Sequence, residues 1–81
     1  MMVRVKLFAA ARELAGQDAL DVTLPAGATI AQLRQAIVAQ ASSLEGLSRH
    51  VWFAIGTDYA DDAQPLVDGL EVACIPPVSG G

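Results

Sequence analysis

The sequence is poor in side chains that do chemistry. It has one cysteine and one histidine in 81 residues. A lone Cys74 excludes an internal disulfide and any zinc site built from several thiolates. A lone His50 excludes the His-rich metal centres, so no metal is expected. Charge is sparse as well: charged residues make up 17% of the chain, nine acids against five bases, for a net charge of −4. That balance repels phosphate and excludes a free-standing electrostatic nucleic-acid binder. No apolar run approaches the roughly 20 residues needed to span a bilayer, so no membrane partner is expected. The opening Met1-Met2-Val3-Arg4-Val5-Lys6-Leu7-Phe8 interleaves apolar and basic residues, where a signal peptide needs an unbroken apolar stretch. A cytoplasmic location is the default expectation.

What is present is apolar. The apolar fraction of 53% is too high for a disordered tail, and the length allows one small domain. Val3 to Phe8 alternates with period two and reads as a half-buried strand. Phe8 breaks the pattern, because it falls on the face that carries Arg4 and Lys6. Ala9 to Ala15 are good helix formers followed by Gly16, the residue that suits a helix C-cap. Leu20, Val22 and Leu24 alternate with Asp21 and Thr23 as a second strand, pairing with the first as an antiparallel hairpin. Thr29 with Gln32 fits a capping box. Ile30, Leu33, Ile37 and Ala41 then recur at helical spacing, predicting one main helix to about Ala41. Leu44 to Ser48 reads as a short further turn. Val51 to Ile55 is continuously apolar, which suits a central strand with both faces at least partly covered. Tyr59-Ala60 reads as a brief edge strand and Leu70 to Ile75 as the last, central strand.

Strand, strand, helix, strand, short strand, strand is the order of an α+β fold of the β-grasp, or ubiquitin-like, kind: a mixed sheet gripping one helix. The expected division is a β-grasp domain over 1–75 and a flexible tail over 76–81. Pro76 and Pro77 cannot donate ladder hydrogen bonds, so they end the strand and stiffen the departing chain. Val78, Ser79, Gly80 and Gly81 follow. Glycine has no Cβ and passes through a channel too narrow for other residues. A Gly81 carboxylate at the end of such a tail has the right shape for delivering an acyl group into another protein's active site.

Four stretches together resemble a known family. These are Val5-Lys6-Leu7-Phe8-Ala9 with Ala11-Arg12-Glu13-Leu14-Ala15-Gly16, Thr29 to Arg34, Pro65 to Ala73, and the closing Pro76-Pro77-Val78-Ser79-Gly80-Gly81. The chain looks like the small, sulfur-carrying subunits of molybdopterin synthase, and the tail is the most specific part of the match. Ile55-Gly56-Thr57-Asp58 lacks a Val-Asn pair common in that family, and Cys74-Ile75 stand where aromatic residues are frequent. The resemblance implies a carrier that is itself non-catalytic and binds no cofactor. A ubiquitin-activating-like enzyme would use ATP to adenylate Gly81. A persulfide donor would convert the transient glycyl adenylate to a thiocarboxylate, a stronger nucleophile than the carboxylate. The tail would then enter the large synthase subunit, in a heterotetramer, where catalytic groups lie. There the sulfur would attack a cyclic pyranopterin phosphate and build the dithiolene of molybdopterin, for molybdenum cofactor biosynthesis. The alternatives are a thiamine-pathway sulfur carrier, whose tail usually lacks Pro-Pro-Val, and a ubiquitin-like modifier joined to lysines through Gly81.

The remaining candidates are few. Cys74, in phase with Leu70 and Val72, reads as a packed apolar residue, and His50 as a solvated loop residue. Asp58, Asp61 and Asp62 read as a solvated acidic loop without EF-hand spacing. Arg12 either pairs locally with Glu13 or contacts a partner. Phe8 either packs or joins Pro76, Pro77 and Ile75 in an interface around the base of the tail.

Overall fold

The alternation at the N-terminus sets up the first strand and its two faces. In the computed structural model, which describes residues 1–77, β1 (Met2–Leu7) buries Val3, Val5 and Leu7 and exposes Met2, Arg4 and Lys6. The strand stops one residue short of the expected Phe8. Ala9 adopts φ +49°, a region rarely used by residues with a side chain. That turn starts α1 (Ala9–Ala15) and leaves Phe8 extended as its N-cap. Gly16, at φ +72°, closes α1 and donates its N–H to the Arg12 carbonyl, as the sequence predicts.

β2 (Ala19–Thr23) returns antiparallel to β1, with Val3 opposite Val22 and Val5 opposite Leu20. α2 (Ile30–Gln40) starts at the predicted capping box: the Thr29 N–H donates to Gln32 Oε1 at 2.9 Å. A 3₁₀ turn (Ser42–Leu44) and α3 (Glu45–Ser48) lead into β3 (Trp52–Ile55), β4 (Asp58–Ala60) and β5 (Glu71–Ile75). The sheet order is β2-β1-β5-β3-β4. The central pair, β1 with β5, is parallel, and the other pairs are antiparallel. This is the expected mixed sheet, and α2 lies in the long connection between β2 and β3.

The core forms between α2 and one face of the sheet. Ile30, Leu33 and Ile37 are fully buried with Val3, Val5, Val22, Val72, Phe53 and Cys74. Burial of this area is the main favourable contribution to folding. The other face has no helix on it among the described residues, and β3 shows what that leaves bare. The cover of β3 on that face is partial, as expected: Ala54 is 8% exposed there, yet Trp52 is 57% exposed, while Phe53 on the core face is 1% exposed. A single helical layer covers only one side of a sheet.

The loop after β4 is tied to the start of α2. The Ile30 N–H donates to Gln64 O and the Ala31 N–H to Asp62 O, both at 3.0 Å. These bonds satisfy donors that the first turn of a helix leaves without intrahelical partners.

Candidate functional site: the open sheet face and the root of the tail

Strand alternation and register decide which side chains share the open face. Ile75 lies opposite Trp52 across β5 and β3, Ala73 opposite Ala54, and Ala54 opposite Tyr59. On the other side of β5, Lys6 is level with Ala73 and Arg4 with Glu71. Phe8 and Ile75 follow at the same level, each one residue beyond the last paired position. The face is therefore graded. Its β5 C-terminal end carries Phe8, Ile75, Trp52 and Tyr59; its opposite end carries Arg4, Asp21 and Glu71.

The apolar end is exposed and ordered by its own contacts. Phe8 is 44% exposed and Tyr59 is 65% exposed. The Trp52 and Tyr59 rings meet edge to face, with centroids 5.1 Å apart and an interplanar angle of 65°. Trp52, Tyr59, Ile75, Pro76 and Pro77 line an open depression of about 380 Å³. Pro76 is buried and Pro77 is exposed, so the chain leaves the body beside the aromatic pair. Contiguous exposed apolar surface of this kind marks a protein interface, and buried aromatic anchors dominate the energetics of such interfaces.

At the charged end, Arg4 Nε donates to Asp21 Oδ1 at 2.9 Å and the second fork bond to Oδ2 is 3.2 Å. The bond from Arg4 holds the Asp21 carboxyl below its ordinary pKa and raises the Arg4 guanidinium in return. Both groups are solvated, so the pair fixes orientation more than it stabilises the fold. Cys74, on the core face, has its thiol pushed up to about 11 by burial. It is a packed residue and a poor nucleophile at neutral pH.

The chain matches the ThiS family over residues 5–81. It belongs to that family. It is 37% identical over 79 residues to the molybdopterin synthase sulfur carrier subunit of Arabidopsis thaliana, covering 98% of this chain and 82% of the relative. It is 38% identical over 82 residues to the molybdopterin synthase sulfur carrier subunit of Escherichia coli K12, covering 99% and 100%. Among solved structures, SAMP1 from Haloferax volcanii superposes with a TM-score of 0.87 at 28% identity, covering both chains in full. A structure of H. volcanii small archaeal modifier protein 1 gives a TM-score of 0.84 at 26% identity, covering 95% of this chain and 98% of that one.

In this ThiS-family chain the structure brings together three of the residues singled out in the sequence, Ile75, Pro76 and Pro77 in the depression; Phe8, exposed just after the Leu7–Cys74 pair, does not line it. Val78, Ser79, Gly80 and Gly81 lie outside the described residues. Arg12 does not join the group. It is exposed on α1, and among the described residues it forms an ion pair neither with Glu13 nor with another acid. The acidic loop is less free than the sequence suggests, because Asp62 Oδ1 accepts from Arg34 at 2.9 Å. Among the described residues no group of three or more His, Cys, Asp or Glu side chains is placed to hold a metal ion. Trp52 and Tyr59 are the site residues the sequence hid. The signal that could have found Trp52 is phase: it is one residue out of step with the core residue Phe53.

Proposed function

We propose that this chain is the sulfur-carrier subunit of a molybdopterin synthase. The observation that carries this is its end-to-end likeness to relatives bearing that name. The open apolar face around Ile75, Pro76 and Pro77 supports it, because a carrier must present its tail from a surface that partners hold.

In this reading residues 1–75 are the body and 76–81 the delivery arm. The Gly81 carboxylate attacks the α-phosphorus of ATP on an adenylating enzyme, and pyrophosphate leaves. A persulfide sulfur then takes the acyl group from AMP. Cleavage of the resulting sulfur–sulfur bond by a thiol leaves Gly81 as a thiocarboxylate. Inside the large synthase subunit that sulfur is transferred to a cyclic pyranopterin phosphate, and Gly81 returns as a carboxylate. In this reading the acid–base groups come from the partners, and Cys74 stays packed in the core. The working assembly is a heterotetramer with the large subunit, in the cytoplasm.

A second reading rests on the likeness to SAMP1, a protein named as a modifier. There Gly81 would end in an isopeptide bond to lysine. Co-expression with the large subunit from the same organism separates the two. The carrier reading expects a stable complex of defined mass; the modifier reading expects covalent, higher-mass forms of other proteins. Absence of any complex with a folded large subunit contradicts the carrier reading.

A further inference from the structure

We infer that Arg34 is a positioning residue that shapes the docking pair Trp52 and Tyr59 from the opposite side of the sheet. This rests on the proposal that the open apolar face receives the large subunit.

Arg34 sits on α2, one turn after the helix start that the Asp61–Leu66 loop ties down. Its Nη1 donates to two backbone carbonyls, Ser48 O at 2.7 Å and Val51 O at 2.8 Å. Its Nη2 donates to Asp62 Oδ1 at 2.9 Å. The guanidinium carbon lies 4.9 Å from the centroid of Phe53, the neighbour of Trp52 on the core face. Only 21% of the side chain is exposed.

These contacts join two segments that lie apart in sequence. Ser48 and Val51 end the approach to β3, so holding them fixes where Trp52 enters the sheet. Asp62 follows β4 by two residues, so holding it fixes the strand that carries Tyr59. The two short, charge-assisted bonds to the carbonyls are part-buried and of the strong kind, while the bond to Asp62 is solvent-exposed. The planar fork of arginine reaches carbonyls on one side and a carboxylate on the other; a lysine ammonium has no such shape. Arg34 packs over Phe53 on the core face of β3 and lines a depression with Trp52 and Tyr59, but its hydrogen bonds go to the main chain and to Asp62 rather than to either ring. Its effect passes through the main chain to the angle and spacing of the two aromatic rings.

The experiment uses the full chain and the purified large subunit. Trp52 is the only tryptophan in the sequence, so the near-ultraviolet dichroism of tryptophan reports on its setting directly. Arg34→Met is expected to collapse that band and to weaken partner binding by about tenfold or more. A core variant on the far edge strand, Leu20→Ala or Val22→Ala, chosen for equal loss of thermal stability, is expected to change neither. Arg34→Lys, which keeps the charge without the fork, is expected to fall between wild type and Arg34→Met, and it decides the matter if Arg34→Met fails to fold. An unchanged band and affinity in Arg34→Met overturn the inference. So does the same loss in the matched core variant, and so does full wild-type behaviour of Arg34→Lys. If Trp52→Ala binds the large subunit like wild type, the docking reading has failed, and the dichroism band alone then decides whether Arg34 positions Trp52.

Discussion

Trp52 and Ile75 face each other across β3 and β5 on the open side of the sheet, and the chain leaves the strand one residue later at Pro76. The tail thus departs from the edge of an aromatic surface. Trp52→Ala removes the largest side chain of that surface without touching the core. It is expected to weaken large-subunit binding by about 2 kcal/mol or more, the scale of an interface anchor. The thermal midpoint is expected to move little. Calorimetric titration and thermal unfolding of the same variant check both halves.

How much of this was legible in the sequence depended on range. The Thr29–Gln32 capping box spans three residues and was legible. So was the exposure of Phe8, because it shares a phase with Arg4 and Lys6. The exposure of Trp52 was hidden, since an unbroken apolar run from Val51 to Ile55 reads the same whether one face or both are covered. The Arg34–Asp62 pair was hidden for another reason: its partners are 28 residues apart and meet only through the loop that packs on α2. Local chemistry showed the elements; only the fold showed which faces were left bare.

The buried thiol makes a statement about pH. Cys74 titrates at about 11 in the fold against an ordinary value of 9.0. A raised folded pKa favours the protonated native state, so this contribution is complete below about pH 9 and is lost as the pH rises towards 11. Stability of the wild type is expected to fall over that window, and that of Cys74→Ala to fall less. Denaturant titrations at a series of pH values would show it. A thiol reagent at neutral pH is expected to modify the unfolded chain and spare the native one.

Two backbone positions make opposite predictions. Gly16 at φ +72° closes α1, and Gly16→Ala places a Cβ in a conformation it disfavours. A loss of about 1 kcal/mol is expected. Ala9 at φ +49° carries that strain already. Ala9→Gly relieves it at some cost in chain entropy, and a gain of up to about 1 kcal/mol is expected. Chemical denaturation of the pair checks the signs.

The grip of α2 on the sheet is tested by truncation. Leu33 is wholly buried at the centre of the core. Leu33→Ala is expected to cost about 2–5 kcal/mol, a large share of the stability of a domain this small. Equilibrium unfolding in denaturant gives the number directly.

The central claim is that Gly81 carries sulfur, and one measurement reaches it most directly. The chain is incubated with its adenylating enzyme, ATP and a persulfide donor, and its intact mass is taken. The account predicts a mass higher by the difference between one sulfur and one oxygen, localised to Gly81 and absent when Gly81 is deleted from an otherwise folded chain. An unchanged mass alongside an adenylating enzyme shown to be active, or continued cofactor synthesis by the chain lacking Gly81, would contradict it.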